Sequence, residues 1–236
     1  MISKELLIKS AQLYNINLDD TACEKFDLYA KLLVEYNEKV NLTRITEPDD
    51  IVIKHFVDSL ALCKFVDIKD GIKLCDVGTG AGFPGMALLV AKPNINVTLF
   101  DSINKKLEFL RFLSKQLDLS PEIVTVRAED AGKDKKYREK FDIVTARAVA
   151  QLNVLSEYCI PLAKVGGVFT PLKAVMTAEE EKRGISAAAM LGAKKTDRQI
   201  YKIPDGSDRE VVVFEKISPT PTKYPRVAAQ ISKKPL

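Results

Sequence analysis

The sequence predicts an α/β fold, with a mostly parallel seven-stranded sheet carrying helices on both faces and an N-terminal helical extension ahead of it. Two observations carry the prediction. Up to about Asp70 the apolar residues recur at spacings of three and four with no strand signal, and from Ile72 onward short apolar runs alternate with amphipathic stretches. Strands alternating with helices build right-handed βαβ units, and hence a doubly wound parallel sheet.

Taken in order, Leu6, Leu7 and Leu13 mark a first helix, and Phe26, Leu28, Leu32, Leu33, Tyr36 and Val40 a second. Asn17–Thr21 offers a cap for the second helix, and Thr46-Glu47-Pro48-Asp49 one for a third. Strands are expected at 73–77, 96–101, 122–126, 141–146 and 166–171. Between them, Ile103, Leu107, Leu110, Leu113 and Leu117 form one apolar stripe, and Val154, Leu155, Tyr158 and Leu162 another. Two late runs, 199–203 and 210–216, flank the turn-rich Pro204–Asp208, which predicts a terminal antiparallel hairpin. The chain thus divides into a helical extension (1–70), a sheet domain (71–217) and a basic tail (218–236).

The 236 residues carry a formal net charge of +4, too mild a basicity to announce a nucleic-acid binder by itself. No apolar run is long enough for a membrane span and no basic-then-apolar leader follows Met1, so a cytoplasmic protein without membrane contact is expected. Cys23, Cys63, Cys75 and Cys159 are spaced singly, which suggests reduced thiols and no metal site. Nothing demands a dimer, and a monomer is the expectation.

The most informative stretch is Lys73–Met86, an apolar run entering a turn with glycines at 78, 80, 82 and 85. Such a turn lets a ligand lie against bare main chain. Gly80-Ala-Gly82-Phe-Pro-Gly85 satisfies the dinucleotide fingerprint, with Asp101 about 20 residues on, as an NAD-dependent oxidoreductase would need. Asp76-Val-Gly78-Thr-Gly80-Ala-Gly82 equally fits the acid-x-Gly-x-Gly-x-Gly loop of enzymes using S-adenosyl-L-methionine. Charge favours the second, because Asp76 at the mouth of the loop repels a pyrophosphate and attracts an ammonium and a sulfonium. Asp101, ending the second strand, suits the two ribose hydroxyls, although it also precedes a helix it can cap. Arg127-Ala128-Glu129-Asp130 follows the third strand, where main-chain amides and a small side chain can border an adenine.

Acceptor chemistry belongs at the end of the fourth strand, Phe141–Ala148. It offers neither the Asn/Asp-Pro-Pro-aromatic turn used on exocyclic amines nor the proline-preceded cysteine used on cytosine C5. It offers Arg147. An arginine suits an acceptor that already carries a lone pair and sits among phosphates, and guanine N7 is such an acceptor. The alternative is an ion pair from Arg147 to Asp76 or Asp101.

The stretches Tyr36–Thr43, Lys54–Ser59, Asp76–Gly85, Ala146-Arg147-Ala148 and Leu172-Lys173 together resemble the family of bacterial ribosomal small-subunit methyltransferase G, also called glucose-inhibited division protein B. The resemblance is nearly full-length. It implies a class I, Rossmann-like methyltransferase that methylates N7 of a guanine in the decoding-region loop of 16S rRNA, with the 30S ribosomal subunit or its assembly intermediate as partner. It implies donor binding by Gly78, Phe83, Ala128, Glu129 and Arg147; the place of Arg147 at the end of the fourth strand makes it the catalytic candidate as well. Gly80 and Asp101 join that set from the loop chemistry. The same stretches single out His55 and Asp58 as lining or RNA contacts, and Asn37 and Asn41 as a pair bracing the cleft from one helix face. Arg44 and Lys173 are candidate phosphate or guanine contacts. Arg226 joins them from a tail that holds basic and no acidic residues after Lys216. Ala174 stands where the family commonly has glycine. A non-catalytic RNA-binding assembly factor on the same scaffold is a further alternative.

Overall fold

The computed structural model describes residues 1–147 and 149–236. Ala148, the last residue of the Ala146–Ala148 stretch, lies outside them. Seven strands form one sheet in the order β3-β2-β1-β4-β5-β7-β6: β1 (Lys73–Val77), β2 (Asn96–Asp101), β3 (Glu122–Thr125), β4 (Phe141–Arg147), β5 (Ala163–Lys173), β6 (Ala193–Lys202) and β7 (Asp208–Lys216). The first five are parallel, and β7 enters antiparallel between β5 and β6. β5 and β6 are longer than the apolar runs predict. In β6 the extra residues include the polar Lys194, Lys195, Asp197 and Arg198, held by pairing with β7 rather than by burial, whereas Ala163 and Leu172 of β5 and Ala193 of β6 are apolar and buried.

The pleat of β1 divides the core. Leu74 packs on one face with the N-terminal helices Lys4–Gln12 and Asp20–Asn37 and the helices Gly85–Ala91 and Asn104–Gln116; Cys75 and Val77 pack on the other with the helix Leu152–Cys159. The extension and the sheet therefore share one apolar cluster, in which Tyr29, Phe56, Phe83 and Leu110 are all buried.

The second helix begins where expected, with the Asp19 side chain accepting from the Ala22 amide at 2.7 Å. It ends at Asn37, so Asn41 lies beyond it and the two asparagines share no helix face. The third helical segment is broken. After Pro48–Asp50 the chain winds as a π-helix over Ile51–Val57 before returning to α-helical turns at Asp58–Leu60 and Leu62–Phe65. Periodicity cannot foresee such a turn, and π-turns concentrate at functional sites.

The tail is ordered rather than free. The Arg138 guanidinium donates to the carbonyls of Gly132, Thr220 and Tyr224 at 2.7–2.8 Å, and Ile231 of the final helix, Ala228–Lys233, is buried. Arg226 makes a double contact with the fully buried Glu157, from Nε to Oε1 at 2.8 Å and from Nη2 to Oε2 at 2.6 Å. The guanidinium expected to meet RNA is committed to this carboxylate. Arg226→Ala should cost about 3 kcal/mol in a denaturant titration, because it strands a buried charge. Lys233→Gln with Lys234→Gln should leave stability unchanged, since both lysines are exposed. Similar losses from the two variants would contradict this.

Candidate functional site

The strand order reverses between β1 and β4, and the crevice at their carboxyl ends collects the functional side chains. Asp76 braces the glycine turn from beneath. It is fully buried, and its Oδ2 accepts from the Thr79 hydroxyl at 2.6 Å and the Gly85 amide at 2.8 Å, while Oδ1 has no hydrogen-bond partner among the described residues. The sequence reading of an acid at the loop's mouth is corrected accordingly. Gly80 has φ +58°, and a Cβ there would approach nothing nearer than 4.0 Å. At Gly82, φ is +102°, and a Cβ would come within 2.5 Å of the Tyr29 hydroxyl and 2.8 Å of the Met86 Cβ.

Asp101 ends β2 with both oxygens engaged, Oδ2 by the Gly80 amide at 3.0 Å and Oδ1 by the Ile103 amide at 2.9 Å. It ties the next helix through this short turn rather than by an N-cap, which is Ile103. A cavity of about 320 Å³ is lined by Gly78, Asp101, Ala128, Glu129, Arg147 and Tyr158 among others. Of the seven residues expected at the donor, Gly80 and Phe83 are not in this lining. Phe83 instead lies between Tyr29 (ring centroids 5.3 Å, 5° apart in plane) and His55 (4.4 Å, 9°), with the Arg147 guanidinium carbon 5.1 Å from its centroid.

A larger cavity, about 630 Å³, lies alongside and is lined by Lys54, His55, Asp58, Arg147, Lys173 and Arg209 among others. Arg147 and Val149 border both cavities. The guanidinium of Arg147 is held from the π-helix and the turn after it: Nη1 donates to Asp58 Oδ2 at 2.9 Å and to the Lys54 carbonyl at 3.1 Å, and Nη2 lies 3.2 Å from His55 Nδ1. Its ionic partner is thus Asp58, neither Asp76 nor Asp101. Asp58 Oδ1 also stands 3.3 Å from Arg209 Nε, an ion pair without hydrogen-bond alignment. Lys173 is tethered rather than free, 2.7 Å from the Ala150 carbonyl and 3.0 Å from Glu180. Arg44 is exposed and borders neither cavity. Lys54, Arg209 and Tyr158 line the cavities without having been predicted. Arg209 in particular reaches the site only through the β5–β7 pairing, which local pattern does not encode.

Burial pushes the Asp76 carboxyl up to about 6, against the pull of its two hydrogen bonds, and pushes His55 down to about 3, helped by the charge of Arg147. Between about pH 4 and pH 6 the two act oppositely on stability. There the unfolded chain has released the Asp76 proton that the folded chain keeps, so stability falls as pH rises. The unfolded chain holds a His55 proton that the folded chain lacks, so stability rises. Each contributes a slope of about 1.4 kcal/mol per pH unit, and the two cancel. Asp76→Asn should therefore make stability climb more steeply with pH across this window than in the parent, and His55→Asn should tilt it the other way. Urea titrations giving parallel pH profiles for all three proteins would refute the assignment.

Among the described residues, no three His, Cys, Asp or Glu side chains gather as a metal site, and no helix is long and apolar enough to cross a membrane. The fold is shared with methyltransferase structures at low identity: TrmN from Thermus thermophilus (TM-score 0.53, 20% identity, covering 68% of this chain and 48% of that one) and a putative methyltransferase from Bacillus halodurans (0.53, 15%, 68% and 99%). M. jannaschii TYW2, solved in complex with AdoMet, is similar to the same degree (0.50, 18%, 64% and 72%). Likeness in sequence is much closer. Proteins named ribosomal RNA small subunit methyltransferase G from Lysinibacillus sphaericus and Lactobacillus johnsonii are 44% and 46% identical over the whole of both chains, and that from Desulfitobacterium hafniense is 48% identical over 95% of this chain and 94% of its own. The family model GidB, described as rRNA small subunit methyltransferase G, matches residues 22–211. By full-length identity and by family match alike, the chain belongs to the rRNA small subunit methyltransferase G (GidB) family.

Proposed function

We propose that this protein transfers the methyl group of S-adenosylmethionine to N7 of a guanine in the decoding-region loop of 16S rRNA. The observation that carries the reading is Arg147 standing on the boundary of two adjoining cavities, one at the carboxyl ends of β1 and β2 beside Gly78 and Asp101, and one with a mainly cationic lining. The residues present fit the donor. Gly78 and Ala128 keep the wall of the smaller cavity low, and Asp101 and Glu129 bring carboxylates to it. Bound there, adenosylmethionine supplies a methyl group made electrophilic by a sulfonium.

The chain's own task is placement and charge. Guanine N7 attacks with its own lone pair, so the site needs no general base. Around Arg147 the neighbouring groups are already engaged: both nitrogens of His55 have partners, and Asp58 is committed to arginine. Arg147 has Nε–H and a second Nη2–H without an acceptor among the described residues, donors suited to orienting a guanine edge. The larger cavity has more cationic than anionic side chains in its lining, Lys54, Arg147, Lys173 and Arg209 against Asp58 and Glu180, an excess suited to the phosphates flanking a splayed nucleotide.

The test combines two measurements. Titration with adenosylmethionine and with NAD should show binding of the first only, and mass spectrometry of rRNA should find 7-methylguanine in small-subunit particles after incubation with enzyme and donor. NAD binding without adenosylmethionine binding would restore the oxidoreductase reading. Particle binding without methyl transfer would restore the assembly-factor reading.

A further inference from the structure

His55 contacts Arg147 on one side and Thr43 on the other, and the two contacts cannot be independent. Thr43 Oγ1 lies 2.8 Å from His55 Nε2, and Arg147 Nη2 lies 3.2 Å from Nδ1. A guanidinium only donates hydrogen bonds, so Nδ1 must present its lone pair and the ring hydrogen must sit on Nε2, donated to Thr43. Thr43 is itself fixed. Asn37, closing the second helix, accepts from the Leu42 and Thr43 amides at 2.8 and 3.0 Å, and Thr43 Oγ1 also accepts from the Ile45 amide at 3.0 Å. The imidazole is buried and lies nearly parallel to Phe83, so the ring plane is set as well as the tautomer.

We infer that Thr43 and His55 form a positioning pair for Arg147: the donor-only guanidinium requires the Nε2–H tautomer, Thr43 Oγ1 accepts that hydrogen and so stabilises it, and the lone pair on Nδ1 holds the guanidinium in register between the two cavities. The inference rests on the reading of Arg147 as the arginine at the methyl acceptor. Within it, a neutral histidine acts through an arginine rather than on substrate. With the other tautomer, two N–H donors would face each other, and the arginine would lose one of the contacts that keep it over Phe83.

The chain contains a single histidine, so the tautomer can be read without ambiguity. Protein labelled with ¹⁵N-histidine should give a long-range ¹H–¹⁵N spectrum with Nδ1 unprotonated and Nε2 protonated. Thr43→Val keeps the shape but removes the acceptor, and should shift the spectrum toward a tautomer mixture. It should also lower kcat for methyl transfer to 30S particles about tenfold, with little change in the KM for adenosylmethionine. Thr43→Ser retains the hydroxyl and should restore both readouts. An Nδ1–H tautomer in the parent protein would overturn the inference, as would a Thr43→Val protein with parental spectrum and parental kcat. A parent showing the Nε2–H tautomer yet transferring no methyl to 30S particles would instead overturn the proposed reaction.

Discussion

Lysine in place of Arg147 is expected to lower kcat/KM for methyl transfer to small-subunit particles by about 10²-fold while leaving the protein folded. The charge survives the change, and the geometry does not. A compact ammonium cannot reach the Asp58 carboxylate, the Lys54 carbonyl and the His55 ring together, as the planar guanidinium does. Nor does it reproduce the approach of the guanidinium carbon to within 5.1 Å of the Phe83 ring centroid. Alanine at the same position adds a folding penalty of about 3 kcal/mol, since Asp58, with only 6% of its side chain exposed, keeps just the poorly aligned Arg209. Steady-state kinetics with purified particles, together with thermal melts of both variants, separates the two effects. Parental turnover in Arg147→Lys would show that only charge is needed there.

Alanine at Gly82 should be the most damaging single methyl group in the glycine turn. The position combines φ +102° with contacts of 2.5 Å to the Tyr29 hydroxyl, 2.8 Å to the Met86 Cβ and 2.9 Å to the Leu110 Cδ2, so backbone strain and overpacking add. Together they should cost about 3 kcal/mol and lower the melting temperature by roughly 10 °C. Tyr29 donates to the Ala81 carbonyl at 2.5 Å, so displacing it also distorts the turn, and adenosylmethionine affinity should fall with it. Gly80→Ala is the control. Its φ of +58° is strained for alanine, but the space is open, so stability should drop by only about 1 kcal/mol while ligand affinity falls sharply. Equal melting temperatures for the two variants would contradict this account.

Most of the sheet is legible from apolar runs, because a buried parallel strand must be apolar on both faces and ends where a loop must turn. β1 and β2 coincide with the predicted runs, and the hairpin follows from Pro204–Asp208. The π-helix is not legible: Ile51–Val57 has an ordinary apolar pattern, and its extra residue per turn is fixed by what packs against it. The site shows the same divide. Asp101, Gly78, Ala128, Glu129 and Arg147 meet at one cavity, as chemistry at strand ends predicts. The charge of the tail points to Arg226 as an RNA contact, whereas its partner is Glu157, 69 positions away, and no local pattern announces a buried carboxylate on an amphipathic helix. Thr43 and Asn37 were visible only as part of a family stretch; their use is a hydrogen-bond path that needs three-dimensional closure.

The apolar cluster shared by the N-terminal helices and the sheet has a consequence for how the molecule opens. Because Tyr29 of the second helix and Phe56 of the π-helix pack with Phe83 and Leu110, the glycine turn shares its foundation with the N-terminal segment, and removing the first two helices would expose part of that cluster to water. Amide hydrogen exchange should accordingly report a single cooperative opening for helix Asp20–Asn37 and strands β1 and β2, with no subglobal unit in which the N-terminal extension melts first.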